Sequence, residues 1–313
     1  MSAKPPERLM IEAVRTFCAR TRRDFRSMSH GWLLQVLDPD RSHLIFGYDL
    51  GLNRSAAQQV ANDKSATSDI LAAANIPVIE HVLFHAPHMR PYVPESGNWA
   101  AILALFEQWG EDVVCKSHTG TGGARVFRAR TRLELEECVQ LLFGGGRALT
   151  LSPFVDFANE CRVVVLDGAA ELVYRKQRPV VVGDGVSTLA ELIGRGSGLE
   201  APREEAAGAK LDPDRVPERG ETVLIEWRHN LAHGAAPVPV PEEEARPLVE
   251  LAVAAAGALG LRFASVDIAE ADEARVLEIN AGVMMESFAA SDPSNRERAL
   301  AIYFKALARA LEA

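Results

Sequence analysis

Two short stretches near the C-terminal end carry side chains that could hold a divalent cation. Val276-Leu277-Glu278-Ile279-Asn280 alternates as a half-buried strand does, so Glu278 and Asn280 point to one face. Ser265-Val266-Asp267-Ile268 sets Asp267 on a polar face between apolar neighbours. Two carboxylates and an amide oxygen are hard donors, the set Mg²⁺ takes together with phosphate oxygens. A solvent-facing antiparallel pair would give the same pattern. A second constellation is Lys116 with the loop Ser117-His118-Thr119-Gly120-Thr121-Gly122-Gly123. Gly120, Gly122 and Gly123 let backbone N–H groups turn toward an anion, and Lys116 adds a point charge. No Gly-Lys-Ser/Thr follows and the next element is a strand, so this is not a Walker A loop. Taken alone it suits a plain hairpin turn equally well.

Charge is divided along the chain. Residues 264–290 hold six acids and one base, whereas residues 161–183 hold four bases and two acids. An acidic and a basic pole together suit a metal–polyphosphate complex. At the edge of the basic segment Glu160 and Arg162 are two apart and share a face. Tyr174, Lys176 and Arg178 do likewise, and Arg175 points the other way.

The elements that must position these groups come from 313 residues, enough for two or three packed units. Apolar residues make up 48% and charged residues 25%, the balance of an ordinary globular chain. A net charge of −9 argues against nucleic-acid binding. The longest apolar run, residues 251–261, is too short to cross a membrane. Cys18, Cys115, Cys138 and Cys161 lack metal or CxxC spacing, and the first residues lack a secretory pattern. Reduced, buried thiols and a cytoplasmic location follow as expectations. Helical periodicity falls at 7–23, 64–74, 99–109, 133–143, 242–259 and 294–311. Strands are expected at 32–37, 43–48, 78–84, 113–116, 124–128, 149–157, 162–166, 171–176, 221–227, 262–269 and 275–279. Residues 194–220 read as a long surface loop. His81, His85 and His88 sit in a strand-to-loop segment whose spacing does not bring the rings together as a helix would.

These strings resemble the ATP-grasp superfamily, in particular the ATP-grasp part of cyanophycin synthetase and of fused bacterial glutathione synthetases. The resemblance covers roughly residues 62–288. Its carriers are Lys116 with SHTGTGG, SPFVDFANECRVVVLDG, VYRKQRPVVVGDGVSTLAELI, RHNLAHGA and SVDI…VLEINAG. The GDGxSTxxELI string is the most specific. The resemblance implies an α+β fold whose two lobes clasp ATP between antiparallel sheets: a short α/β region at 1–61, a small lobe at 62–152 and a C-terminal lobe at 153–313. By position it assigns Lys116 to the α- and β-phosphates, Lys64 to a nearby basic position, and Ser152, Phe154 and Val155 to the adenine-reading hinge. Glu160 falls on the ribose position, Arg162 and Lys176 beside the γ-phosphate, Asn230 near the phosphoryl acceptor, and Asp267, Glu278 and Asn280 on Mg²⁺ or Mn²⁺.

The implied chemistry is ligation. Phosphoryl transfer from ATP to a carboxylate makes an acyl phosphate, which an amine converts to an amide with release of ADP and phosphate. A small-molecule kinase and a non-catalytic nucleotide-binding module are the alternatives on the same fold. The expected partners are a small carboxylate and an amine, an amino acid or peptide, with no nucleic acid and no membrane; a homodimer is one expectation for the assembly. Two departures fall on the acceptor side. The usual Pro-Gly after the asparagine is replaced by Ala281-Gly282-Val283-Met284-Met285-Glu286, and Asn230-Leu231-Ala232-His233-Gly234-Ala235 stands where cyanophycin synthetase has Asn-Leu-Ser-Thr-Gly-Gly. Asp267 and Glu278 are expected on strand surfaces, replaceable at little cost to folding.

Overall fold

The computed structural model of the chain describes residues 7–38, 41–119, 125–195 and 211–312. It opens with helix α1 (Leu9–Thr21), whose Leu9, Met10, Val14, Phe17 and Cys18 form one buried face. Strands β1 (Asp24–Met28), β2 (Leu33–Leu37) and β3 (Ser42–Phe46) then form a small antiparallel sheet in that order. Helices α2 (Ser55–Asn62) and α3 (Lys64–Ala73) follow, and Asp63 caps α3 by accepting the Ser65 and Ala66 N–H groups at 3.0 and 3.1 Å.

A four-stranded antiparallel sheet comes next. It is built from β4 (Val82–His85), β5 (Val113–Ser117), β6 (Val126–Ala129) and β7 (Ala148–Pro153) in the order β4-β7-β5-β6. Helices α4 (Trp99–Gln108) and α5 (Arg132–Gly144) cover it through Ile102, Phe106, Leu135 and Leu142. A capping box between Thr131 and Glu134 starts α5.

The larger sheet combines β8 (Asn159–Leu166), β9 (Ala169–Gln177), β12 (Ala236–Pro239), β13 (Phe263–Glu270) and β14 (Ala274–Asn280), ordered β12-β9-β8-β13-β14. The β8–β9 hairpin turns on Asp167 and Gly168, both at positive φ, as a type I′ turn requires. Between β9 and β12 lie the two-stranded ladder of β10 (Val180–Val182) with β11 (Thr222–Leu224) and helix α6 (Leu189–Arg195). Helix α7 (Glu242–Ala258) precedes β13, and α8 (Glu286–Ser291) and α9 (Pro293–Glu312) close the chain.

Strand alternation splits this sheet between two cores. Cys161, Val163 and Val165 of β8 join α2, α3 and α7 on one face. Val164 and Leu166 join α1, α9 and the N-terminal sheet on the other. Glu160 and Arg162 lie on that second face, beyond the reach of α1 and α9. α2 and α3 thus pack on the large sheet, and the smaller one spans β4 to β7.

Several elements differ from the sequence expectation. The strand expected at 78–84 begins at Val82, because Val78 bridges Val276 and the Ile79 N–H donates to Val276 O at 2.9 Å. The strand expected at 149–157 stops at Pro153, which cannot donate to a ladder. β1, α2, β10, α6, β12 and α8 were not anticipated: they are short, and their apolar spacing is incomplete. The four cysteines are free and buried. Among the described residues no helix is long and apolar enough to cross a membrane.

Candidate active site

Where the two larger sheets meet, a cavity of about 500 Å³ is lined by both of them, by the 152–157 connection and by part of the N-terminal sheet. Lys64, Lys116, Ser152, Phe154, Val155, Glu160, Arg162, Lys176, Asn230, Asp267, Glu278 and Asn280 all border it. Gly120, Gly122 and Gly123 lie outside the described residues, as does 196–210 of the expected surface loop.

Its floor is a charge cluster set by strand register. Glu160 faces Lys176, Arg162 faces Tyr174, and on the next strands Asp267 faces both Arg162 and Glu278. Arg162 grips Asp267 with two hydrogen bonds of 2.7 and 2.6 Å, the planar fork geometry only arginine offers. The Lys176 ammonium lies 3.0 Å from Asp267 Oδ1 and donates to Glu160. Burial opposes the charge of Asp267, but Arg162 and Lys176 outweigh it and hold its carboxyl well below the usual range. Burial and Arg162 oppose the charge of Lys176, and Asp267 and Glu160 overcome them, so its pKa is raised. Glu160 is pushed up to about 7, because burial exceeds the pull of Lys176. Asp267 is 4% exposed, so the expectation that it sits on a strand surface does not hold: it is the buried anion that two cations need.

Across the cavity, Lys116 is buried on β5 and faces Thr150 of β7. Burial, and then the nearby Lys64 charge, lower its pKa to about 8. Lys64, the first residue of α3, stands 3.9 Å from Glu278, whose side chain is about a quarter exposed. Glu278 and Asp267 are cross-strand neighbours, with Asn280 two residues further along β14. These hard oxygens fit Mg²⁺, which keeps few protein ligands when phosphate oxygens complete its shell. Among the described residues no cluster of three or more His, Cys, Asp or Glu could hold a metal by itself.

The connection after β7 forms the third wall. The Phe154 N–H donates to Asp112 O at 2.9 Å, which ties this connection to the start of β5. Arg128 holds Asp112 through a bidentate pair and stacks 3.4 Å over the Phe154 ring, with Trp227 6.0 Å away. Phe157 stacks on His229 at 5.0 Å, and His229 Nδ1 bonds Lys176 O at 2.8 Å. Asn230 accepts the Ala232 N–H at 2.9 Å and caps a short 3-10 turn. Arg175 lies on the opposite face of β9, paired with Glu270 and Glu244.

Sequence reasoning missed Trp32, Phe46, Tyr48, Trp227 and His229 as wall residues. Only Phe46 and Tyr48, two apart, carried a local signal. The specific GDGxSTxxELI string is absent from the lining. It builds a turn instead: Asp184 accepts the Val186 and Ser187 N–H groups, and Thr188 with Glu191 forms the reciprocal cap of α6.

No family model matches the chain. It is 24% identical over 256 residues to the glutathione biosynthesis bifunctional protein GshAB of Streptococcus thermophilus, covering 71% of this chain and 34% of that one. It is 27% identical over 253 residues to cyanophycin synthetase of Trichormus variabilis, covering 74% of this chain and 26% of that one. The chain therefore spans about a quarter to a third of the length of these relatives. Among solved structures, D-alanine–D-alanine ligase from Bacillus anthracis superposes with a TM-score of 0.54 at 17% identity, over 83% of this chain and 69% of that one. A bifunctional glutathione synthetase from Pasteurella multocida gives 0.52 at 17% identity, over 89% and 40%. The fold is the two-lobed α+β ATP-grasp architecture. Together these similarities support an ATP-grasp superfamily assignment.

Proposed function

We propose that the protein is an ATP-dependent carboxylate–amine ligase that forms an amide bond and releases ADP and phosphate. One observation carries the reading: a single cavity gathers the cationic side chains of Lys64, Lys116, Arg162 and Lys176, the carboxylates of Asp267 and Glu278 on neighbouring strands, and an aromatic hinge wall. Such a set matches a metal–nucleotide complex better than any neutral ligand.

In this reading adenine sits against Phe154 and Trp227, and Lys116 and Lys64 take the phosphates. Phosphate contact restores the charge that burial withdraws from Lys116. Asp267, Glu278 and Asn280 would hold Mg²⁺, which supplies charge neutralisation at the phosphate oxygens. Asp267 and Glu160 keep Arg162 and Lys176 charged and aligned before nucleotide arrives. The two cations then exchange carboxylate for phosphate and stabilise the charge that develops on the γ-phosphoryl group. A substrate carboxylate oxygen bonds to that phosphorus as the bond to ADP breaks. The amine nitrogen next attacks the acyl carbon; phosphate departs and the nitrogen loses its proton.

Hydroxylamine trapping tests this. With ATP, Mg²⁺ and the right carboxylate, the expected products are a hydroxamate and ADP. AMP with pyrophosphate would refute the chemistry, and a phosphorylated product that accumulates unchanged in the presence of amine would mark a kinase.

A further inference from the structure

Contacts along the cavity run from the hinge through Glu160 and Lys176 to Arg162 and Tyr174. Tyr174 stacks on Phe288 of α8 at 4.9 Å, and Glu286 at the start of α8 accepts the Tyr48 hydroxyl at 2.7 Å. The end remote from the hinge is therefore walled by the N-terminal sheet and α8. Trp32, Phe46 and Tyr48 form that wall, with Met284 facing the same space. Trp32 is 45% exposed, Phe46 59% and Met284 45%. Nothing in this wall suits a triphosphate, and the adenine position lies at the opposite end.

The rings are fixed from behind. Trp32 meets Phe46 and Tyr48 edge-on at 6.2 and 6.3 Å. The Arg8 guanidinium lies 4.6 Å over Trp32 and 5.3 Å from the Tyr48 centroid, and its donors go to the Gly47 and Gly31 carbonyls. Arg8 itself does not border the cavity. Gly47, at φ +63°, lets Trp32 lie against the backbone: a Cβ there would stand 2.9 Å from Trp32 Cζ2. Rigid aromatic rings, braced on one side and uncovered on the other, are built for an apolar ligand group. Arg8 already lies over one face of Trp32 and beside Tyr48, so a cationic side chain arriving on the open side would add a second positive charge to the same rings.

We infer that this wall is a specificity subsite and that one of the two molecules joined is an amino acid or peptide with an aromatic or branched apolar side chain, seated against Trp32, Phe46, Tyr48 and Met284. The inference rests on the ligase reading of the same cavity. Its test is ADP release by the full chain with Mg·ATP and paired substrates: phenylalanine, leucine and valine against glycine, aspartate, glutamate, arginine and lysine. Each is supplied once as the acid with hydroxylamine as nucleophile and once as the amine, which tells which partner fills the subsite. The apolar set should exceed the charged set in kcat/KM by about tenfold or more, the low end of what a single methylene is worth in an apolar pocket. Phe46→Ala should raise KM for the apolar substrate about tenfold, with the affinity for Mg·AMPPNP unchanged. Trp32→Ala, checked for folding by its melting curve, should do the same. Preference for charged substrates, or an unchanged KM in Phe46→Ala, would overturn the subsite and leave the ligase reading intact. Calorimetric binding of phenylalanine beside Mg·AMPPNP, weakened in Phe46→Ala but with no ADP release from any pair, would do the reverse.

Discussion

Asp267→Asn and Glu278→Gln separate the two jobs that carboxylates perform in the cavity. Asn at 267 keeps the shape of the side chain but removes the charge that Arg162 grips at 2.7 and 2.6 Å and Lys176 approaches at 3.0 Å. Two buried cations would be left with Glu160 alone, and breaking a buried ion pair in this way costs roughly 3–5 kcal/mol. Glu278 is part-exposed and meets Lys64 only at 3.9 Å, so its neutralisation should cost under about 1 kcal/mol. Urea unfolding of the nucleotide-free proteins, followed by tryptophan fluorescence, measures both. The Asp267 contribution has a definite pH sense. Its folded pKa is depressed, so its stabilisation is present above about pH 4 and is lost as pH falls toward the folded value. The difference between wild type and Asp267→Asn should therefore shrink in acid. Both variants should lose ADP release by about a hundredfold or more if both carboxylates serve the metal–phosphate complex. Equal stability loss in the two would mean that Glu278 is structural. Wild-type stability in Asp267→Asn would refute the charge cluster as a stabilising unit.

Lys116 titrates near pH 8 in the empty site, against an ordinary value of 10.5. Burying its charge costs about 3 kcal/mol, relieved as pH rises from about 8 to 10.5, so this group alone makes the empty protein more stable over that window. Nucleotide needs the charged form: affinity should fall up to tenfold per pH unit above 8, with proton uptake visible by calorimetry in two buffers, and Lys116→Met should abolish that dependence. Removing divalent cation with EDTA should stop ADP release but leave the melting temperature of the nucleotide-free protein unchanged, because Arg162 and Lys176 already neutralise Asp267; a lowered melting temperature would point to a structural ion. Gly183→Ala would place a Cβ 2.1 Å from Glu218 O, and should destabilise the β10–β11–α6 unit by about 1–3 kcal/mol while the Mg·AMPPNP affinity of the folded fraction is unchanged. Urea titration beside a nucleotide binding curve checks both halves.

Legibility in the sequence followed the range of the physics. The floor of the cavity was readable because a strand repeats every two residues: Glu160 with Arg162, Tyr174 with Lys176, and Glu278 with Asn280 share faces wherever the strands go. Their mutual pairing was not readable, since register between β8, β9, β13 and β14 is set by tertiary packing. That pairing makes Asp267 a buried counter-ion. The aromatic walls were hidden for the same reason. Trp227, Phe157 and His229 meet rings distant in sequence, and the two-residue spacing of Phe46 and Tyr48 marks a shared face without telling whether that face is core or cavity wall. The GDG string carried the resemblance, yet its residues make turns and caps; a recognisable string reports what a backbone finds hard to build as readily as what a ligand touches.

The path of the chain between the two larger sheets has a mechanical consequence. The polypeptide leaves the large sheet just after Ile79, which is pinned to Val276, and after His81, whose N–H donates to Ser68 Oγ at 3.2 Å. It comes back along 154–157, where Phe157 rests on His229. The β4–β7 unit is thus tethered at both chain connections, and the Lys64 N–H adds a third tie by donating to His118 O at 3.3 Å. Lys116 lies on one side of these tethers and Asp267 on the other, so the tethers set the span across which the two charges face each other.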